Sequence, residues 1–186
     1  MDPSRPWRLS YRHAFLSAEH PLETGTKKLS RIHDFSQFNC GVASLTTWLQ
    51  KYALTNQAAG AATTYVARRG NRVVGYYSLA AGSIQRTDAP ERVLKGLANH
   101  PIGVILLARL AVDTREQGTG LGKALLKDAL SRIAQAAKLV GVRAVLVGAI
   151  DEKGKRFYEH FNFKPSPADP HRLMLLMKDL RKILVE

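Results

Sequence analysis

The sequence predicts an α/β (α+β) chain, a mixed sheet flanked by helices, and three adjoining stretches carry that prediction. Val104–Val112 is an apolar, β-branched run of the kind that forms a buried strand. A polar turn follows, with Gly118, Gly120 and Gly122 at every second position. Beyond the turn, Gly122, Leu125, Leu126, Ala129, Leu130, Ile133, Ala137 and Val140 fall on one helical face, and Lys123, Lys127, Asp128, Arg132 and Gln135 fall on the other. The order is therefore strand, glycine-rich loop, helix.

That order suits an anion for a physical reason. The first N–H groups of a helix have no partner within it, and the helix dipole makes the same end positive. Glycines let the backbone turn tightly enough to bring those N–H groups against a phosphate. The plainer alternative is a connector whose glycines serve only the turn. The spacing is neither the Rossmann fingerprint nor the P-loop, and no Gly-Lys-Ser/Thr occurs.

The remaining elements follow in chain order. Residues 1–26 carry Arg5, Trp7, Arg8, Tyr11, Arg12 and His13 among Pro3, Pro6 and Pro21. They read as an N-terminal extension, either a flexible basic arm or an appendage to the fold, and residues 27–186 as the domain. His33–Gly41 reads as a loop. Val42, Leu45, Leu49, Tyr52 and Ala53 then repeat at helical spacing, with Trp48 beside them, as a core-facing helix. Thr63–Arg68 and Val73–Ala80 flank Arg69-Gly70-Asn71-Arg72 as a hairpin. A short helix is expected around Pro90–Leu97. After the central unit, Gly141 reads as a C-terminal helix glycine and Ala144–Ile150 as a buried strand. Asp151 caps a helix over Glu152–Phe161, Phe163–Pro170 is a rigid loop, Arg172–Met177 a last strand, and Asp179–Val185 a tail helix. No repeat, low-complexity tract or domain-scale linker appears.

Composition narrows the class. The chain has 186 residues, 45% of them hydrophobic, enough for one domain with a real core. No apolar run reaches membrane-spanning length, and the first residues lack the apolar centre of a signal peptide. The single cysteine, Cys40, excludes an internal disulfide and fits a reducing cytoplasm and a small buried side chain better than a nucleophile. Twenty-eight Lys and Arg against fifteen Asp and Glu give a formal charge of +13. Such an excess attracts polyanions and favours a nucleic-acid partner, with solubility or a membrane surface as the alternative. The six histidines are scattered, none at metal-ligand spacing with the cysteine, so neither a metal nor a Ser-His-Asp constellation is expected.

Arg115-Glu-Gln-Gly118-Thr-Gly120 resembles the Arg/Gln-x-x-Gly-x-Gly/Ala loop of the GNAT acetyltransferases. The resemblance covers roughly residues 29–178. It implies the GNAT fold, a mixed central sheet with splayed central strands flanked by helices, and acetyl-CoA as co-substrate. The implied cofactor-binding residues are Leu110, Ala111 and Val112, whose backbone pairs with the pantetheine arm, then Arg115, Gln117, Gly118, Thr119, Gly120, Leu121, Gly122 and Lys123 around the pyrophosphate, and Phe157. It makes Tyr158 the catalytic general acid, pointing at the CoA sulfur. Asp151 departs from the asparagine common seven residues before that tyrosine, and Gly154 from an alanine.

A phenol near pKa 10 is a weak acid toward a thiol near 8.5, so hydrogen bonding to the developing thiolate matters as much as full proton transfer. Many lysine-acetylating members carry a glutamate on the central strand, whereas here Arg109 is its only charge. A lysine amine near pKa 10.4 needs a base at neutral pH, while an α-amine near 7.7–8.0 needs much less help. The His33-Asp34 loop with Asn39-Cys-Gly41, Leu107-Ala-Arg-Leu-Ala-Val-Asp113 and Phe163-Lys-Pro-Ser-Pro-Ala-Asp-Pro170 resemble one branch in particular, the acetyltransferase toxins of bacterial toxin–antitoxin pairs. That branch implies acetylation of the α-amine of aminoacyl-tRNA, arrest of translation, a homodimer, and neutralisation by a ribbon–helix–helix antitoxin that binds operator DNA. Arg86, Arg92, Lys95 and Arg109 are the candidate tRNA contacts; each is equally readable as a solvated surface charge. The alternatives are acetylation of a small amine or a protein, and an inactive regulatory protein that only binds acetyl-CoA.

Overall fold

A computed structural model describes residues 25–185 of the chain. The expected extension over residues 1–26 therefore lies outside the described residues, save Gly25 and Thr26. The elements in order are β1 (Lys27–Lys28), α1 (Ala43–Thr47), α2 (Ala53–Ala58), β2 (Thr63–Arg69), β3 (Arg72–Ile84), α3 (Glu91–Leu94), β4 (Ile102–Val112), α4 (Leu121–Ala136), β5 (Ala144–Gly148), α5 (Glu152–His160), β6 (Lys164–Pro165), β7 (Arg172–Leu176) and α6 (Met177–Val185). Among the described residues the strands belong to one seven-stranded sheet, in the order β1-β2-β3-β4-β5-β7-β6. Pairing is antiparallel for β1–β2, β2–β3, β5–β7 and β6–β7, and parallel for β4–β5, so the sheet is mixed, as expected. Two compact units are distinguished: residues up to Leu79 together with Arg109–Ala129, and Ala80–Ala108 together with Leu130 onward.

In the first unit β2 and β3 form the expected hairpin, with Thr63 opposite Leu79 and Arg69 opposite Arg72. Gly70 sits at the turn with φ 57, a conformation that glycine adopts without strain. The core gathers Leu29, Phe38, Leu49, Ala53, Val66, Val73, Tyr76 and Ala111. Tyr76 is fully buried, and its hydroxyl is satisfied by donating to the Leu45 carbonyl at 2.7 Å. The helix expected from Val42 onward does form, but Trp48–Tyr52 is a π-turn between α1 and α2. A π-turn takes more than 3.6 residues and so shifts the phase of the helix face. Leu49 and Ala53 stay buried as expected, whereas Tyr52 is carried outward to 52% exposure.

In the second unit β4 pairs with β5 from Val104–Ala144 to Leu107–Val147, and Leu110–Val112 lie beyond that register. Ile84, Ala89, Val93, Ile102, Val104, Ala144, Leu146 and Met174 form its core. Arg143 holds α3 in place by donating to the carbonyls of Val93 at 2.9 Å and Lys95 at 2.8 Å. Two expectations need correction. Helix α4 ends at Ala136 rather than at Gly141, because Lys138 and Leu139 donate three residues back to Gln135 and Ala136, tightening the chain off the helix axis. Val140 is consequently 57% exposed instead of facing the core, and Gly141 is not among the positive-φ glycines. The loop after Phe163 contains β6, paired with β7 through Lys164–Met174 and Pro165–Leu173. Proline is compatible with this edge position, where one side of the strand needs no N–H donor.

Gly75 on β3 shows how closely the start of α4 is packed. A Cβ there would meet Leu125 Cδ1 at 2.9 Å, Leu121 Cδ2 at 3.3 Å and the Ala111 carbonyl at 3.4 Å. Gly75→Val is expected to destabilise the protein by about 1–3 kcal/mol through overpacking. Urea unfolding reads the effect, and an unchanged midpoint would contradict this packing.

Candidate functional site

The site begins where β4 ends. Asp113 leaves the strand with its N–H donating to the Val74 carbonyl at 2.9 Å, and Thr114–Glu116 form a single 3₁₀ turn. Asp113 caps that turn by accepting from the Arg115 amide at 3.0 Å. Gly118 and Gly120 then take φ values of 80 and 90, which bend the chain into the first turn of α4. A side chain at either would be strained whatever the space around it. No acidic residue stands in the first turn of α4, and Lys123 is exposed there. The N-terminus of this 16-residue helix, where the first amides have no partner within the helix and the dipole is positive, thus carries no acidic side chain in its first turn.

The side chains of the loop mostly brace it. Gln117 donates from Nε2 to the carbonyls of Cys40 and Val112, both at 3.0 Å. Thr119 donates to the Glu116 carbonyl at 2.7 Å. Arg115 grips Asp113 with two donors, at 2.8 and 3.0 Å, and also reaches the Gln37 carbonyl at 3.2 Å. Burial pushes the Asp113 carboxyl up, but the Arg115 guanidinium and the amides of Arg115 and Asn39 outweigh it and hold the group below its ordinary value. Glu116 is paired twice with Arg69, at 2.7 and 2.9 Å, with side-chain exposures of 7% and 5%. Arg72 Nη2 lies 3.8 Å from the same carboxylate.

Arg115 and Gln117, expected on the pyrophosphate, thus donate within the protein, and the Arg69–Glu116 pair is not legible in the sequence. Those partners stand 47 positions apart, and no local pattern joins them.

Tyr158 belongs to the second unit. Helix α5 is capped by Asp151, whose Oδ1 accepts from the Gly154 amide at 2.7 Å. A Cβ on Gly154 would lie 3.3 Å from that oxygen, so the cap favours the smallest residue there. Tyr158 is 7% exposed, with Phe157 and Phe163 edge-on at 5.2 and 5.5 Å. Burial raises its pKa well above the usual phenol value, which keeps the hydroxyl protonated. Phe157 packs edge-on between Tyr158 and Phe161.

Among the expected tRNA contacts, Arg86 donates to the Ala98 carbonyl at 3.0 Å, and Arg92 pairs with Asp179 at 3.0 Å while remaining largely exposed. Lys95 is exposed at the end of α3. Arg109, in the first unit, lies with Cζ 4.4 Å from the Trp48 ring centroid. Among the described residues no group of three or more His, Cys, Asp or Glu is placed to hold a metal ion. No described helix is long and apolar enough to cross a membrane.

The sequence pattern of the acetyltransferase (GNAT) domain matches residues 60–165. Over 158 residues the chain is 48% identical to a tRNA-acetylating toxin of Mycobacterium tuberculosis, covering 85% of this chain and 95% of the relative. Its structure is similar to that of AtaT complexed with acetyl-methionyl-tRNAfMet, with a TM-score of 0.80, 24% identity, and coverage of 86% and 98% of the two chains. A mutant of the AtaT toxin bound to acetyl-CoA and the C-terminus of the antitoxin AtaR is similar with a TM-score of 0.76, 24% identity, and coverage of 87% and 98%.

Two outcomes follow from the bracing charges. Glu116→Ala is expected to cost about 3–5 kcal/mol, because it removes the carboxylate that offsets a buried guanidinium charge. The double change Arg69→Met with Glu116→Leu should recover much of that loss in urea unfolding. Because the Asp113 pKa is lowered on folding, its contribution is complete above about pH 4 and fades as pH falls through the lowered folded value. Asp113→Asn should therefore reduce stability at pH 7 and flatten the acid limb of a stability-versus-pH curve; an unchanged limb would contradict the assignment.

Proposed function

The chain belongs to the GNAT acetyltransferase family, and on that premise we propose that it is a toxin moving acetyl from acetyl-CoA to the α-amine of aminoacyl-tRNA. The observation that carries the substrate is the 48% identity to a tRNA-acetylating toxin along 95% of that relative. The formal charge of +13 supports a polyanionic substrate.

Acetyl-CoA supplies the activated acyl thioester. The amides of Gln117, Gly118, Thr119, Gly120, Leu121, Gly122 and Lys123 receive its diphosphate, with the Lys123 ammonium adding charge. Leu110, Ala111 and Val112 offer backbone groups to the pantetheine arm beyond the β4–β5 register. Arg115 and Gln117 act by holding the loop through Asp113, Cys40 and Val112. Phe157 contributes an apolar wall. As the neutral α-amine attacks the carbonyl, the C–N bond forms and the C–S bond breaks; Tyr158 would aim its hydroxyl hydrogen bond at the leaving sulfur, and the proton shed by the nitrogen passes through solvent to the thiolate. A phenol whose pKa is raised by burial is suited to donating a hydrogen bond to the developing thiolate rather than surrendering its proton outright.

The carboxylates of the loop do not supply a base. Asp113 and Glu116 are committed to Arg115 and Arg69, and β4 carries Arg109 as its only charge. That arrangement favours an α-amine, which is substantially neutral near physiological pH, over a lysine side chain. Arg86, Arg92, Lys95 and Arg109 are assigned to the tRNA. Residues 27–186 are taken as the acetyltransferase domain, with residues 1–26 as an extension that holds no site. The protein is taken to work in the cytoplasm as a homodimer, silenced by a ribbon–helix–helix antitoxin that binds operator DNA; similar structures of AtaT with the antitoxin AtaR, and of that complex with DNA, support the antitoxin and DNA part.

Mass spectrometry of total aminoacyl-tRNA after incubation with labelled acetyl-CoA tests the substrate. N-acetylated aminoacyl ends are expected; free α-amines throughout, with label on a small amine or a protein, would overturn the reading. Tyr158→Phe should lower kcat about 10²–10⁴-fold and leave acetyl-CoA affinity unchanged. Undiminished turnover would remove Tyr158 from the chemistry.

A further inference from the structure

Arg109 is the only charge on an eleven-residue strand that is otherwise apolar, and its guanidinium is carried over the Trp48 indole at 4.4 Å. The indole itself is held firmly. Its Nε1 donates to Ser78 Oγ at 3.3 Å, and Ser78 is fully buried and bonded to Thr64 Oγ1 at 2.8 Å. The π-turn Trp48–Tyr52 places Tyr52 beside the same indole, with ring centroids 6.4 Å apart and planes at 39°. The wider turn is also what leaves Tyr52 half exposed at the outer end of this array. Two aromatic rings and one guanidinium therefore cluster within the first unit. Along the chain, Arg109 stands one residue before Leu110, the first residue assigned to the pantetheine arm.

Single-stranded RNA ends are held by stacking bases on aromatic rings and on guanidinium planes. In every charged tRNA the amino acid is esterified to the 3′-terminal adenosine of an unpaired CCA end. We infer that Arg109, Trp48 and Tyr52 form a stacking ledge for the terminal base of the acceptor end, setting the aminoacyl ester against the pantetheine strand. The inference rests on the aminoacyl-tRNA reading and names the part of the substrate that these residues recognise. Arg109 and Tyr52 touch the base; Trp48 is a positioning residue that holds the guanidinium over its ring.

The test separates stacking from charge. Arg109→Lys keeps the charge and loses the plane, and Tyr52→Ala removes an exposed ring whose loss leaves the core intact. Each should raise KM for aminoacyl-tRNA about 10-fold, the order expected for losing one stacked base, with KM for acetyl-CoA unchanged. Tyr52→Phe should restore the lost affinity. In a Trp7→Phe background Trp48 is the remaining tryptophan of the two, and its fluorescence should be quenched on titration with the trinucleotide CCA. Wild-type KM in Arg109→Lys, or no quenching by CCA, would overturn the ledge while leaving the acetylation reading intact. A wild-type protein that acetylates no aminoacyl-tRNA would remove both.

Discussion

The ion pair between Arg69 and Glu116 ties the end of β2 to the loop that follows β4, and the presentation of the loop amides depends on that tie. Both groups are almost wholly buried, so the two well-formed hydrogen bonds and the attraction between the charges must together offset the cost of desolvating them. A second pair, Asp113 with Arg115, closes the strand end of the same loop. Between them, the positive-φ glycines Gly118 and Gly120 gain a defined conformation that their own flexibility would not provide. A glycine loop without such anchors would lose part of its affinity for an anion to the entropy of ordering.

This arrangement divides the work between side chain and backbone. Gln117, Thr119 and Arg115 spend hydrogen bonds on carbonyl and carboxylate partners within the protein. The proposed phosphate ligand is thereby left to the backbone amides and the N-terminus of α4, directed donors of the kind such an anion needs. The same economy appears at Tyr158, where burial among Phe157 and Phe163 keeps the phenol protonated and oriented.

What could be read from the sequence was local. The hairpin around Gly70, the strand over Val104–Val112, the start of α4 and the Asp151 cap each follow from residues within a few positions of one another. So did the membership of the family, through Gly118, Gly120 and the Phe157-Tyr158 pair. The π-turn was not legible, because Val42–Ala53 fits an ordinary helical period and nothing in it marks the extra residue. The end of α4 was misplaced because Val140 continues the apolar spacing after the backbone has already turned away. The anchors of the loop were invisible for a different reason: Arg69 and Glu116 are joined only by the fold. Arg115 and Gln117 are legible as candidates for the pyrophosphate, but their hydrogen bonds within the protein appear only in three dimensions.

The central claim is that the backbone amides of Gln117 to Lys123 hold a diphosphate. Calorimetric titration of ligand-free protein with coenzyme A, beside pantetheine, which lacks the diphosphate, tests it most directly. The account predicts that coenzyme A binds tightly and pantetheine weakly, and that Gly120→Val erases most of the difference by forbidding the φ of 90 that the loop needs. Equal affinity for the two ligands, or coenzyme A binding unchanged by Gly120→Val, would contradict it.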